Sequence, residues 1–139
     1  MISNKILPLL RCPLSSATLD LVGNTLVARN QPFSYKIDTN NIPLFAIKPS
    51  TTDAMIQQIH YDKIFKIYSE NLQYSHTQIY TSYLNNVLSD IVNLEPLGIT
   101  AEIWCGTGEA FSLYKFNIDI GIGVDISSQM LAIASKTVS

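Results

Sequence analysis

The chain has 139 residues, enough for one ordinary domain or two very small ones. Hydrophobic residues make up 47% and charged residues 14%, a balance that buries a core and excludes a disordered tail. The formal charge of −2 leaves no broad basic field, so the clustered lysine and arginine of a non-specific nucleic-acid binder are missing.

Near the start, Ile6-Leu7-Pro8-Leu9-Leu10 is too short an apolar run for a secretory signal, and nothing later approaches a membrane span. A soluble cytoplasmic protein is the expectation. Residues 5–45 read as strand and turn. Leu19-Asp20-Leu21-Val22 and Thr25-Leu26-Val27-Ala28 flank Gly23-Asn24, a two-residue connection suited to a tight hairpin. Phe33-Ser34-Tyr35-Lys36-Ile37 alternates apolar and polar, Asp38-Thr39-Asn40-Asn41 is a turn, and Ile42-Pro43-Leu44-Phe45 resumes an extended path. These residues predict a small β-rich module over 1–48.

Pro49-Ser50-Thr51-Thr52-Asp53 separates that module from two helices, over 49–98. Thr52 or Asp53 is the expected cap of the first, which runs to about Tyr68 with Met55, Ile56, Ile59, Ile64, Phe65 and Ile67 as apolar positions. The second begins near Ser75. Its rows Ile79, Tyr83, Val87, Ile91 and Tyr80, Leu84, Leu88, Val92 make a wide apolar face, ended by Glu95-Pro96-Leu97-Gly98.

From residue 99 to 139 the pattern changes to β–α–β–α. Residues 99–104 read as a buried strand, Cys105-Gly106-Thr107-Gly108 as a glycine turn, and 109–116 as a short helix with Glu109 at its positive N-terminal end. Ile118, Ile120, Ile122 and Val124 alternate into a second strand ending at Asp125, and Ser127 caps a last helix carrying Met130, Leu131 and Ile133. A crossover helix of this length implies parallel strands in an α/β sheet. Asp125 lies 19 positions after Gly106, about the spacing at which a strand-end carboxylate grips the hydroxyls of an adenosine ribose. A dinucleotide site prefers a third glycine where this chain has Phe111, so a dehydrogenase is the more distant reading.

Residues 101–109 (Ala-Glu-Ile-Trp-Cys-Gly-Thr-Gly-Glu) resemble the first motif of class I S-adenosylmethionine-dependent methyltransferases. Residues 123–131 (Gly-Val-Asp-Ile-Ser-Ser-Gln-Met-Leu) resemble the second. The resemblance covers roughly residues 99–134 and implies a partial Rossmann-like α/β sheet, its first two parallel strands only, behind two lead-in helices. It also implies S-adenosylmethionine as cofactor. Glu102 is then expected beneath the glycine loop near the methionine portion, Gly106 and Gly108 along that portion, and Asp125 on the ribose hydroxyls. Trp104, Cys105 and Ile126 join the residues expected to line the cofactor, and Tyr61 and Tyr68 of the lead-in approach it. Where the family has its first glycine this chain has Trp104, which is either core at the end of a buried strand or an obstruction that marks a degenerate copy. Residues 7–13 (Leu-Pro-Leu-Leu-Arg-Cys-Pro), Leu19, Leu26, Tyr35, Ile37 and residues 42–45 resemble the zinc-ribbon-derived module of tRNA-methyltransferase activators. Only Cys12 stands where zinc-binding members have several cysteines, so no metal is expected.

His60 and His76 are isolated and read as solvated or packed, and Cys105 as a small buried side chain rather than a nucleophile. The resemblance ends before the family's later strands. It therefore predicts a truncated form with weak or no turnover on an unidentified methyl acceptor, whose open sheet edges pair with a second copy or another chain. The alternative is a non-catalytic module that docks on a partner methyltransferase.

Overall fold

The computed structural model describes residues 2–46, 51–92, 97–114 and 118–137. The chain divides into two compact units, Met1–Pro49 and Ser50–Ser139. Its architecture is mixed α/β, with a three-stranded antiparallel sheet in the first unit and a two-stranded parallel sheet in the second.

In the first unit a short 3-10 turn, Leu7–Leu9, precedes the strands β1 (Leu19–Val22), β2 (Thr25–Ala28) and β3 (Ser34–Lys36). The β1–β2 hairpin pairs Leu21 with Leu26 and Leu19 with Ala28. Gly23 turns it with φ +60°, a conformation that a side chain resists. A strand alternates its side chains between two faces, so Leu19, Leu26, Ala28 and Tyr35 gather on one of them with Cys12 and Ile37. Leu26 is fully buried, worth about 2 kcal/mol in apolar surface removed from water. The Tyr35 hydroxyl lies 3.1 Å from the Cys12 sulfur, and the Tyr35 ring meets Phe45 edge-on at 5.0 Å. Burial and the neighbouring Cys12 push Tyr35 up to about 12. Burial also pushes the Cys12 thiol up, but hydrogen bonds to Ser15, Tyr35 and the backbone at Leu14 and Ser15 outweigh it and bring the thiol down to about 7. The turn after β3 closes when one Asp38 carboxylate oxygen accepts the amides of Asn40 (2.8 Å) and Ile42 (2.9 Å).

The second unit opens with α1 (Thr52–Asn71) and α2 (Ser75–Val92). The cap of α1 is Thr51, whose hydroxyl accepts the Ala54 amide at 3.1 Å, one position before the expected Thr52 or Asp53. The helix also runs three residues past the expected Tyr68. Of α2's apolar rows, Leu84 and Leu88 are half-buried, whereas Ile79, Tyr80, Tyr83 and Val87 are exposed. Of the expected stop at residues 95–98, residues 95 and 96 lie outside the described residues, and Gly98 already opens the following strand.

The β–α–β segment follows: β4 (Gly98–Ile103), α3 (Glu109–Tyr114), β5 (Ile118–Val124) and then α4 (Ser128–Thr137). Strands β4 and β5 run parallel, pairing Glu102 with Gly123 and Ile103 with Val124. One sheet face carries Thr100, Glu102, Gly121 and Gly123, and it receives α3. A side-chain carbon on Gly121 would come within 2.9 Å of the Phe111 ring, and one on Gly123 within 2.8 Å of the Cys105 sulfur. Two glycines thus let Phe111 and Cys105 lie on the strand. The other face carries Ile99, Ala101, Ile103, Ile120, Ile122 and Val124. Here the expectation of a buried strand is corrected, because Ile99 is 58% and Ile103 70% exposed. Helix α1 lies against α4, α2 against α3, and α4 against β5. Among the described residues no helix is long and apolar enough to cross a membrane.

Candidate functional site

Among the described residues of the second unit, Cys105, Thr107, Gly108, Phe111, Ser127 and Met130 are buried, and four of these, Cys105, Thr107, Gly108 and Ser127, lie in the segments just after β4 and β5. Strand β4 stops because Trp104 turns left-handed, with φ +61°. Gly106 and Gly108 follow with φ +54° and +87°, so the chain doubles back within five residues. The Cys105 amide still donates to the Val124 carbonyl (3.1 Å), and the Gly108 amide closes the turn on the Cys105 carbonyl (2.8 Å).

The Asp125 carboxylate joins this turn to the neighbouring strand end. Its Oδ2 accepts the Gly106 amide at 3.0 Å and its Oδ1 accepts the Ser127 amide at 2.8 Å. Each carboxylate oxygen offers about two acceptor sites, so the group retains capacity for two further donors. Ser127 is fully buried. Its hydroxyl accepts the Met130 amide (3.2 Å), capping α4 as expected, and donates to Asp62 Oδ1 on α1 (2.6 Å).

Further acids and a tyrosine surround the turn. Glu109 Oε2 and the Tyr68 hydroxyl lie 3.6 and 3.7 Å from the point where Gly106 would carry a side chain, and the Thr107 hydroxyl bonds Glu109. Glu102 is half-buried, and its Oε2 is buried with no hydrogen-bond partner among the described residues. Burial raises the Glu102 carboxyl above its usual range, and the Glu109 charge raises it further. Burial likewise raises Glu109. Tyr68 is raised by burial first, then by Glu109, Tyr61, Asp125 and Glu102. The Cys105 thiol is pushed up to about 11 by burial and then by Asp125 and Glu102. It is therefore a protonated thiol at neutral pH, too weak a nucleophile to attack a substrate.

The structure therefore brings Glu102, Cys105, Gly106, Gly108 and Asp125 together, with Tyr68 beside them. Ile126 follows Asp125 and is half-buried. Trp104 is 84% exposed, which overturns the reading of its indole as core at the end of a buried strand. His60 and His76 are exposed and stand beside Tyr61 and Tyr74. Sequence reasoning missed Asp62, whose partner is 65 positions away, and the glycines of β5 that seat Phe111. For Asp62 the helix offered one weak signal, its place between Tyr61 and Tyr68. For the glycines the signal was their alternation with isoleucine in β5.

Among the described residues no lysine or arginine forms an ion pair with Glu102, Glu109 or Asp125. Such a site attracts cationic, amine and hydroxyl groups and repels a pyrophosphate. A scan against models of known families and a search of curated proteins each found no match.

Proposed function

We propose that the second unit binds S-adenosylmethionine in the manner of a class I methyltransferase. The observation that carries this reading is the 3.0 Å bond from the Gly106 amide to Asp125, which joins the glycine turn and the strand-end carboxylate at one place. The residues fit the ligand chemically. The orphaned Glu102 Oε2 suits an ammonium donor, and the spare acceptor sites of Asp125 suit a pair of ribose hydroxyls. The surrounding carboxylates favour a positively charged ligand over the pyrophosphate of a dinucleotide.

When bound, the cofactor supplies a methyl group on a positively charged sulfur for in-line attack by an acceptor. The chain's own part is to hold and to orient. Asp125 is fixed from both oxygens by backbone amides and keeps further acceptor sites for a ligand. The Cys105 thiol, protonated and buried, offers no competing nucleophile.

Calorimetric titration with S-adenosylmethionine tests the reading. Binding that weakens by about tenfold or more in Asp125→Ala, the loss of roughly one charge-assisted hydrogen bond, is expected. No heat in the wild type, or the same affinity in both proteins, removes it. The open apolar face of Ile99, Ile103 and Val124 favours a second reading, a non-catalytic module that docks on a partner methyltransferase. A silent titration together with stable co-purification of such an enzyme supports that one instead.

A further inference from the structure

Four groups form one uninterrupted hydrogen-bonded series across three elements. Asp62 on α1 accepts the Ser127 hydroxyl (2.6 Å). The Ser127 amide donates to Asp125 Oδ1 (2.8 Å), and Asp125 Oδ2 accepts the Gly106 amide (3.0 Å). The Ser127 hydroxyl has one proton to give. Spending it on Asp62 leaves the oxygen lone pairs free for the Met130 amide at the start of α4. Ser127 is completely buried, so in the intact protein its hydroxyl meets Asp62 rather than bulk water.

We infer that Asp62 is a positioning residue, one that holds Ser127 so that Asp125 and the glycine turn keep their geometry and so that α1 is anchored to the ligand site. The inference rests on the S-adenosylmethionine reading for the identity of the ligand, though not for the hydrogen bonds themselves. The hydrogen bond at Asp62 is to Ser127, so its influence on Asp125 and the turn passes through Ser127. Anchoring α1 has a second effect. Tyr68 lies less than two helical turns beyond Asp62 and reaches the turn at Gly106, so the same bond that fixes Asp125 also seats Tyr68. A lead-in helix free to slide would release both.

The test compares Asp62→Ala, which removes the acceptor, with Asp62→Asn, which keeps a neutral acceptor oxygen in the same place. Amide hydrogen exchange by NMR reads the ligand-free protein, and titration with S-adenosylmethionine reads affinity. In Asp62→Ala the amides of Gly106, Ser127 and Met130 are expected to exchange about tenfold faster, while Ile122 in the β4–β5 ladder stays within about threefold of the wild type. Affinity falls in parallel. Asp62→Asn should restore both readings, a rescue that a general loss of packing would not show. Ser127→Ala combined with Asp62→Ala should be no worse than Ser127→Ala alone, because the Ser127–Asp62 bond is already lost in Ser127→Ala. Wild-type exchange at Gly106 in Asp62→Ala, or an Asp62→Asn protein as loose as the alanine variant, overturns the inference. If Asp62→Ala does not fold, Asp62→Asn alone decides: protection like the wild type supports the role, and lost protection at Gly106 refutes it. Should the wild type bind no S-adenosylmethionine, the cofactor reading fails while the exchange rates still settle what Asp62 does.

Discussion

Trp104 carries a conformational cost that its neighbours do not explain. A non-glycine residue at φ +61° costs about 1–2 kcal/mol relative to a right-handed one, and here an exposed indole adds no burial to offset it. A glycine at this position would adopt the same angle without that cost. Trp104→Gly is expected to stabilise the second unit by about 0.5–1 kcal/mol in urea unfolding, a gain reduced by the extra freedom of glycine in the unfolded chain. Unchanged or lower stability would show that the indole makes contacts that compensate. Glu102 gives a pH-dependent prediction. Its folded-state carboxyl is raised by burial, so its contribution is fully favourable below the ordinary value of 4.5 and is lost as pH rises through the raised value. Glu102→Gln should therefore melt higher than the wild type at pH 7.5, with the gap closing below pH 4.5. A gap that does not change with pH contradicts this. The meeting of Gly106 and Asp125 was legible in the sequence, because a strand–turn–helix followed by a strand-end acid at that spacing leaves few other places for them. The exposure of Trp104 was not. An apolar residue at the end of an apolar strand reads as core until the backbone angle is known.

At the scale of elements, periodicity located the strands and helices but not what covers them. The alternation of β5 and the hairpin around Gly23 were readable because a strand side chain has only two faces to choose from. The apolar rows of α2 announced a helix, yet Ile79 and Tyr83 are exposed, since a pattern states which face is apolar and not which neighbour meets it. Phe111 was legible as the residue in place of a third glycine. The space made for it by Gly121 and Gly123 was not, because that fit belongs to the packing of α3 on β5. Gly121→Ala forces a methyl group into the Phe111 ring at 2.9 Å, with an expected cost of about 1–3 kcal/mol. In a Phe111→Leu background the same substitution should cost clearly less, because the smaller side chain leaves room. Equal costs in the two backgrounds would mean that the ring is not what the methyl group meets.

Across the whole molecule, the two units bury different kinds of core. The first gathers Leu19, Leu26, Tyr35 and Ile37 on its antiparallel sheet, while the described buried residues of the second include Cys105 and Thr107 of the glycine turn, Ser127 after β5, and Phe111 against the β5 glycines. The sheet face of the second unit that carries Ile99, Ile103 and Val124 is apolar and largely open. In the proposed function, the bend after β4 and the carboxylate after β5 converge on one adenosyl ligand. Amide NMR of the full chain during titration with S-adenosylmethionine tests it most directly. Saturable shifts are expected at Gly106, Gly108 and Ser127, together with the single indole of Trp104, and none in the first unit. Shifts confined to other residues, or no shifts at millimolar cofactor, would contradict it.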